Sequence, residues 1–202
     1  MTEQKLIALS QKIKDSAVAF RLASVYYHKA NRTEEDLKKA AEYYTLAADM
    51  GNLKAACRAG NCYFYGKGTE PDLGKAFYYF SLAAKKDNVR ALYKLGDFYM
   101  NGLGGVEIDQ KKAVFCYERA YQKASERILD EILYPDICLK LADCYFNGII
   151  KKKNYHIALR LYEDAEEQFR FRISCGDKFS DDKLKRAVLG AKECREFLEN
   201  KK

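Results

Sequence analysis

Few residues in this chain are of a type that carries chemistry, and their spacing works against the chemistry they would support. Seven cysteines (Cys57, Cys62, Cys116, Cys138, Cys144, Cys175 and Cys194) and two histidines (His28 and His156) are the candidate soft ligands and nucleophiles. Zinc requires thiolates or imidazoles that converge tetrahedrally. Cys57 and Cys62 stand five apart, which on a helix turns them about 140° from one another. Cys138 and Cys144 also diverge, and no Cys-x-x-Cys pair occurs. No metal site is expected, and the cysteines read as small buried hydrophobes. Nucleophilic catalysis needs a base beside the nucleophile, and two histidines in different parts of the chain supply little. Ser180-Asp-Asp-Lys183 is a Ser-x-x-Lys, but the Ser-Asp-Asn and Lys-Thr-Gly companions of that chemistry are absent. Ser180 reads instead as a helix cap. The glycine clusters Gly66-Lys-Gly68, Asn101-Gly102-Leu-Gly104-Gly105 and Asn147-Gly148 lack the Gly-Lys-Ser/Thr ending of a phosphate loop and follow helical segments, so they are turns. The chain is expected not to be an enzyme and to hold no cofactor.

The elements that position these residues are helices. Apolar residues make up 48% and charged residues 32%, a mixture that builds a core and argues against disorder. Only Pro71 and Pro135 interrupt the chain, and proline is what breaks helices most sharply. The net charge of +7 comes from 36 basic and 29 acidic residues. Its lysine pairs and triplet (Lys38-Lys39, Lys85-Lys86, Lys111-Lys112, Lys151-Lys152-Lys153) alternate with acidic runs and read as solvated faces, which does not favour a nucleic-acid partner. No stretch approaches the roughly 20 apolar residues of a membrane span, and residues 1–16 lack a signal peptide. With an odd number of cysteines, free thiols in a reducing cytoplasmic setting are expected. A bacterial effector delivered without a signal peptide fits the same features.

Self-similarity organises the chain. Four segments share an apolar-small-x-x-aromatic pattern centred on Ala23, Gly60, Gly96 and Ala142, spaced by 37, 36 and 46 residues. A second segment follows each, with leading alanines Ala40, Ala76, Ala113 and Ala158, spaced by 36, 37 and 45. Both segments have helical periodicity: Ala91, Leu92, Leu95, Gly96 and Tyr99 share one face, as do Ala113, Tyr117 and Ala120. Each unit is therefore helix, turn, helix, with small residues where the two backbones approach. Leu6, Leu9 and Ile13 fit a lone leading helix, and Leu184, Ala187, Val188, Ala191, Cys194 and Leu198 form the stripe of a trailing one. Such caps are expected, because a stacked repeat buries its core only against neighbours. The longer third spacing falls after Ala120, where Ile128, Leu129, Ile132 and Leu133 line a stripe. It reads either as an exposed partner-binding helix or, preferably, as a longer second helix of the third unit packed against a long second helix of the fourth, from about residue 155 to 173.

These residues resemble the Sel-one-like repeat (SLR) family, a tetratricopeptide-like helical repeat. The third unit carries nearly the whole family pattern: Ala91, Leu95, Gly96, Tyr99, Gly102, Gly105-Val106, Asp109, Lys112-Ala113, Tyr117 and Ala120. The second follows with Ala55, Gly60, Tyr63, Gly66, Gly68, Asp72, Lys75-Ala76, Tyr79 and Ala83. The first departs at the turn, where His28 to Arg32 replace the glycines. The fourth keeps Gly148 but lacks the second glycine and the Lys-Ala pair. The resemblance implies an all-α fold: a right-handed α-solenoid of about four helix-turn-helix repeats (approximately 17–52, 53–88, 89–134 and 135–176) forming one domain over 1–202. A half-repeat cap at 2–15 and a capping helix at 180–200 complete it. Cysteine-rich relatives staple the helices of each repeat with a disulfide. Here the second unit has both its cysteines in its first helix and the third has one only in its second, so the staple is missing.

The resemblance further implies a protein-binding scaffold or adaptor, monomeric, that takes a peptide or partner protein on a concave surface lined by the first helices. Aligned on the small residues, the groove would present Ser24, Asn61, Asp97 and Asp143, then Tyr27, Phe64, Met100 and Phe146, then His28, Tyr65, Asn101 and Asn147. Amides and carboxylates suit an extended backbone, and the large side chains offer apolar contact. Asn101 and Asn147 each precede a glycine and also fit helix ends, and the aromatic tier also fits a core. The alternatives are a nucleic-acid-binding solenoid, whose affinity would fall steeply with salt, and a regulatory subunit of an enzyme.

Overall fold

The computed structural model describes residues 15–126, 133–149 and 152–200. Nine α-helices and one short 3-10 turn account for the regular structure of these residues, and none of them is in a strand. They fall into two compact units, 1–107 and 108–202.

In the first unit lie α1 (Ser16–Tyr27), α2 (Glu34–Asp49), α3 (Leu53–Tyr65), α4 (Leu73–Ala84) and α5 (Val89–Asn101), followed by the 3-10 turn Leu103–Gly105. Short polar side chains start these helices by accepting orphan backbone N–H groups. Asp15 accepts from Ala17, Asn52 from Ala55, Asp72 from Lys75 and Asn88 from Ala91, at 2.8 to 3.0 Å. At α2, Thr33 and Asp36 form a reciprocal capping box. The helices α1 with α2 and α3 with α4 pack as hairpins, and α2 with α3 and α4 with α5 join successive hairpins. Their core is built from small residues closed by single large rings: Ala23, Ala40, Ala47, Ala55, Ala59 and Ala83 are sealed from solvent, as are Tyr44 and Phe80. Burial of one side chain of that size contributes about 2–3 kcal/mol.

The sequence pattern suggests that the small residues admit a neighbouring backbone. At Gly60 the neighbour is a ring: a Cβ there would lie 2.8 Å from the Phe80 ring of the paired helix. Gly190 likewise leaves room for Tyr162, whose ring would come within 2.4 Å of an added Cβ.

The second unit holds α6 (Gln110–Ser125), α7 (Tyr134–Asn147), α8 (Tyr155–Ser174) and α9 (Asp181–Glu199). Asp109 and Asn154 cap α6 and α8 as Asp72 caps α4. The Asp-x-x-Lys of the repeat pattern is thus a cap. The carboxylate accepts the Lys N–H and its Nζ lies nearby, 3.7 Å away at Asp72 and 3.2 Å at Asp109. Helices α7 and α8 run antiparallel, as do α8 and α9, where Arg195 reaches Glu163 at 2.7 Å and the Tyr155 and Phe197 rings meet at 3.8 Å. Of the expected stripe on α9, Ala187, Ala191 and Cys194 are fully buried and Leu184, Val188 and Leu198 half-buried. Buried Asp136 is neutralised by Arg172 at 3.3 Å and by Lys183.

One local expectation changes. Ser180 stands at the N-cap position just before α9, but its hydroxyl caps no N–H; it donates to Asp177 Oδ2 at 2.7 Å in a fully buried site. Its φ and ψ of −97° and −6° turn the side chain away from the helix N–H groups. Helix α6 is described to Ser125, as long as α2 at 16 residues. Most of the stripe expected after Ala120 (Ile128, Leu129 and Ile132) and the leading stripe (Leu6, Leu9 and Ile13) lie outside the described residues. Helix α8 is long, at 20 residues. No helix among the described residues is long and apolar enough to cross a membrane.

Candidate functional site

Within the first unit, the expected groove residues come from α1, α3 and α5. Their polar members are tied to their own helices. Asn61 Nδ2 donates to the Cys57 carbonyl at 3.1 Å, Asn101 Nδ2 to Asp97 at 2.9 Å, and His28 Nδ1 to Ser24 at 2.9 Å. A carbonyl acceptor requires the NH2 end of each amide, so the orientation is fixed and Oδ1 remains to accept. Tyr27 is half-buried, edge-on to Tyr44 and 4.9 Å below the Arg32 guanidinium.

The aromatic members divide. Phe64 packs edge-on against Phe80 and Phe98, at 6.3 and 5.8 Å, and so belongs to the contact between successive repeats. Tyr65 is 53% exposed. Lys94 Nζ stands 4.3 Å from the Phe64 ring centre and 5.1 Å from that of Tyr65, while Lys67 Nζ is 5.5 Å from Tyr65. Cations over ring faces gain about 0.5–1 kcal/mol at exposed sites. Asp97 and Met100 are half-buried on α5.

In the second unit α9 engages two of the three expected residues. Asp143 Oδ1 accepts from Tyr162 Oη and from Arg186 Nη2, both at 2.6 Å, and Arg186 also donates to Tyr162 Oη at 2.8 Å. Burial, then the bond to Asp143, pushes the Tyr162 hydroxyl far above its ordinary pKa. Phe146 packs against Tyr155 and Tyr162, with the Arg186 guanidinium 5.9 Å from its ring. Asn147 Nδ2 donates to the Asp143 carbonyl. The structure therefore leaves the open part of the expected surface on the first unit.

Six of the seven cysteines are buried and none forms a disulfide; Cys175 is exposed. Burial pushes Cys62, Cys116 and Cys194 up to about 11 and Cys138 and Cys144 to about 12, the behaviour of packing groups rather than nucleophiles. Among the described residues no three His, Cys, Asp or Glu side chains converge on a metal-sized point.

A family model described as the Sel1 repeat matches residues 16–52, 53–88, 89–125 and 135–168. The chain belongs to the Sel1 repeat family. No curated protein matches it. Among solved structures it is similar to c5321, a protective antigen of uropathogenic Escherichia coli strains displaying an SLR fold, at 24% identity and TM-score 0.67 over 83% of this chain. That match spans only 33% of the antigen. It is also similar to a Sel1 repeat protein from Oxalobacter formigenes, at 22% identity and TM-score 0.66, over 96% of this chain and 79% of the other. Both likenesses establish the fold: an all-α solenoid of Sel1 repeats.

Sequence reasoning passed over one set of residues. Two positions before the small residue of each Sel1 first helix stands a base: Arg21, Arg58, Lys94 and Lys140. The signal was in the repeat register, since the same offset recurs four times. Charge runs along the chain do not reveal it, because each repeat contributes a single base at this position.

Proposed function

We propose that this chain is a non-enzymatic Sel1 scaffold that binds an extended peptide along the first-helix face of its first unit. Proteins of this repeat family are generally protein-interaction scaffolds, and the reading extends that to a particular face. The observation that carries it is the fixed amide pair. Asn61 and Asn101 spend their donors on their own helices and keep Oδ1 to accept peptide N–H groups. Tyr65, exposed on α3, supplies apolar contact, and Lys67 and Lys94 beside its ring attract an acidic side chain of the ligand. Selection of peptides from a displayed random library, followed by titration against Asn61→Ala/Tyr65→Ala/Asn101→Ala, tests it. Phe64 is kept because its loss would disturb packing. Two hydrogen bonds and one exposed ring are expected to account for about a hundredfold in affinity, with helicity and Tm retained. Selected peptides that bind the variant as tightly as the parent would reject this face.

A further inference from the structure

A second surface lies on the same unit, away from the amides. Helix α2 and the glycine turn that follows α3 enclose an open cleft of about 950 Å³. Its floor is apolar: Leu37, Ala41, Leu46 and Tyr63, with Leu46 41% exposed. Its walls carry Glu35, Glu42, Asp49 and Glu70, with Glu34 at the entry to α2, against one base, Lys38. The chain as a whole bears +7, so the cleft opposes the sign of the molecule.

The next repeat supplies an internal control. Thirty-six residues on, the framework of the cleft persists: Leu37 becomes Leu73, Leu46 Leu82, Tyr63 Tyr99, and Gly66 and Gly68 become Gly102 and Gly104. Three of the acids do not: Glu35, Glu42 and Asp49 correspond to Pro71, Tyr78 and Lys85, while Glu70, two residues before the cap Asp72, corresponds to Glu107 before Asp109. The repeat architecture therefore does not require the carboxylates that α2 contributes. Glu34 and Glu35 favour a helix N-terminus, but Glu42 and Glu70 sit elsewhere, are exposed, and make no ion pair among the described residues. Asp49 is held in place by the Tyr79 hydroxyl, which donates to it at 3.0 Å.

We propose that this cleft binds a partner-protein segment in which Lys or Arg alternates with aliphatic residues, the bases meeting Glu42, Asp49 and Glu70 and the aliphatic groups covering Leu46 and Tyr63. The apolar floor selects such a segment over a small polyamine, which has charge but nothing to bury. The site is independent of the first-helix face, which favours an acidic ligand.

Fluorescence anisotropy with a short labelled peptide alternating Arg and Leu provides the test, with an alternating Glu and Leu peptide as control. The Arg peptide binds the parent and the Glu peptide does not. Glu42→Gln/Glu70→Gln, which removes two exposed carboxylates without touching the core, weakens binding about tenfold, and added salt weakens it further. Leu46→Ser weakens it severalfold. The Asn61/Tyr65/Asn101 alanine variant leaves it unchanged, so the two surfaces fail separately. Equal affinity in the double glutamine variant overturns the proposal. So does an indifferent Leu46→Ser combined with full displacement by spermine, which would mark the cleft as a plain amine site.

Discussion

At the scale of single residues, Asp36 shows what the repeat adds to a side chain. It stands at the register of the cap Asp72, but α2 begins three residues before α4 does in that register, at Glu34 against Leu73. Asp36 therefore serves as the closing member of a capping box rather than as the cap. The Thr33 backbone N–H, then the Lys29 ammonium at 2.9 Å and the Thr33 hydroxyl, hold its carboxyl down from 3.8 to about 2. A carboxyl with a depressed folded pKa adds stability that is complete above the unfolded value and is lost as pH falls through the folded one. The window is about pH 4 to 2. Asp36→Asn is expected to lower Tm at neutral pH, with the two melting curves converging across that window. A constant offset from pH 7 to pH 2 would show that the carboxylate charge is not what the cap uses. At this scale residue types and register assign Asn61, Tyr65 and Asn101 to one face, which is the part of the candidate site a sequence can propose. What the sequence hid was how each amide spends its hydrogen bonds, and that Phe64 packs on Phe98 of the following repeat. Both depend on neighbours that spacing alone does not specify.

At the scale of elements, the glycine turns do more than end helices. Gly66, Gly102 and Gly148 take the left-handed conformation, with φ of 65°, 66° and 69°, as expected of a glycine that ends a helix. The second glycine has a different reason. A Cβ on Gly68 would fall 2.1 Å from the Leu37 carbonyl oxygen, and one on Gly104 within 2.8 Å of Leu73 Cβ. Each turn is thereby seated on the first turn of the second helix of the preceding repeat. The sequence shows a recurring glycine but not this close approach, because the partner lies about thirty residues upstream. Gly105 separates the two causes, since it has φ of 79° and open space around its Cα. Gly105→Ala is expected to cost about 1 kcal/mol for the left-handed conformation alone. Gly68→Ala adds displacement of a backbone segment and is expected to cost at least about 3 kcal/mol. Chemical denaturation of the two variants measures the gap, and equal losses would remove the seating argument.

At the scale of the whole molecule, a repeat protein is held together by nearest-neighbour contacts, so damage at one end need not travel to the other. Helix α9 is the clearest place to ask this. Its Ala187, Ala191 and Cys194 are fully buried, its Gly190 receives the Tyr162 ring, and its Arg186 completes the bonds to Asp143 and Tyr162. It therefore covers α7 and α8 as a following repeat would. Ala191→Asp places an unpaired carboxylate in that contact, at a cost of several kcal/mol. Hydrogen exchange read by mass spectrometry should then show loss of amide protection in α9, α8 and, to a lesser degree, α7. The amides of α2, α3 and α4 should keep theirs, because their cores are closed by Tyr44 and Phe80 within the first unit. Uniform loss along the chain would mean that the repeats unfold as one cooperative body, and the additive picture would give way to a two-state one.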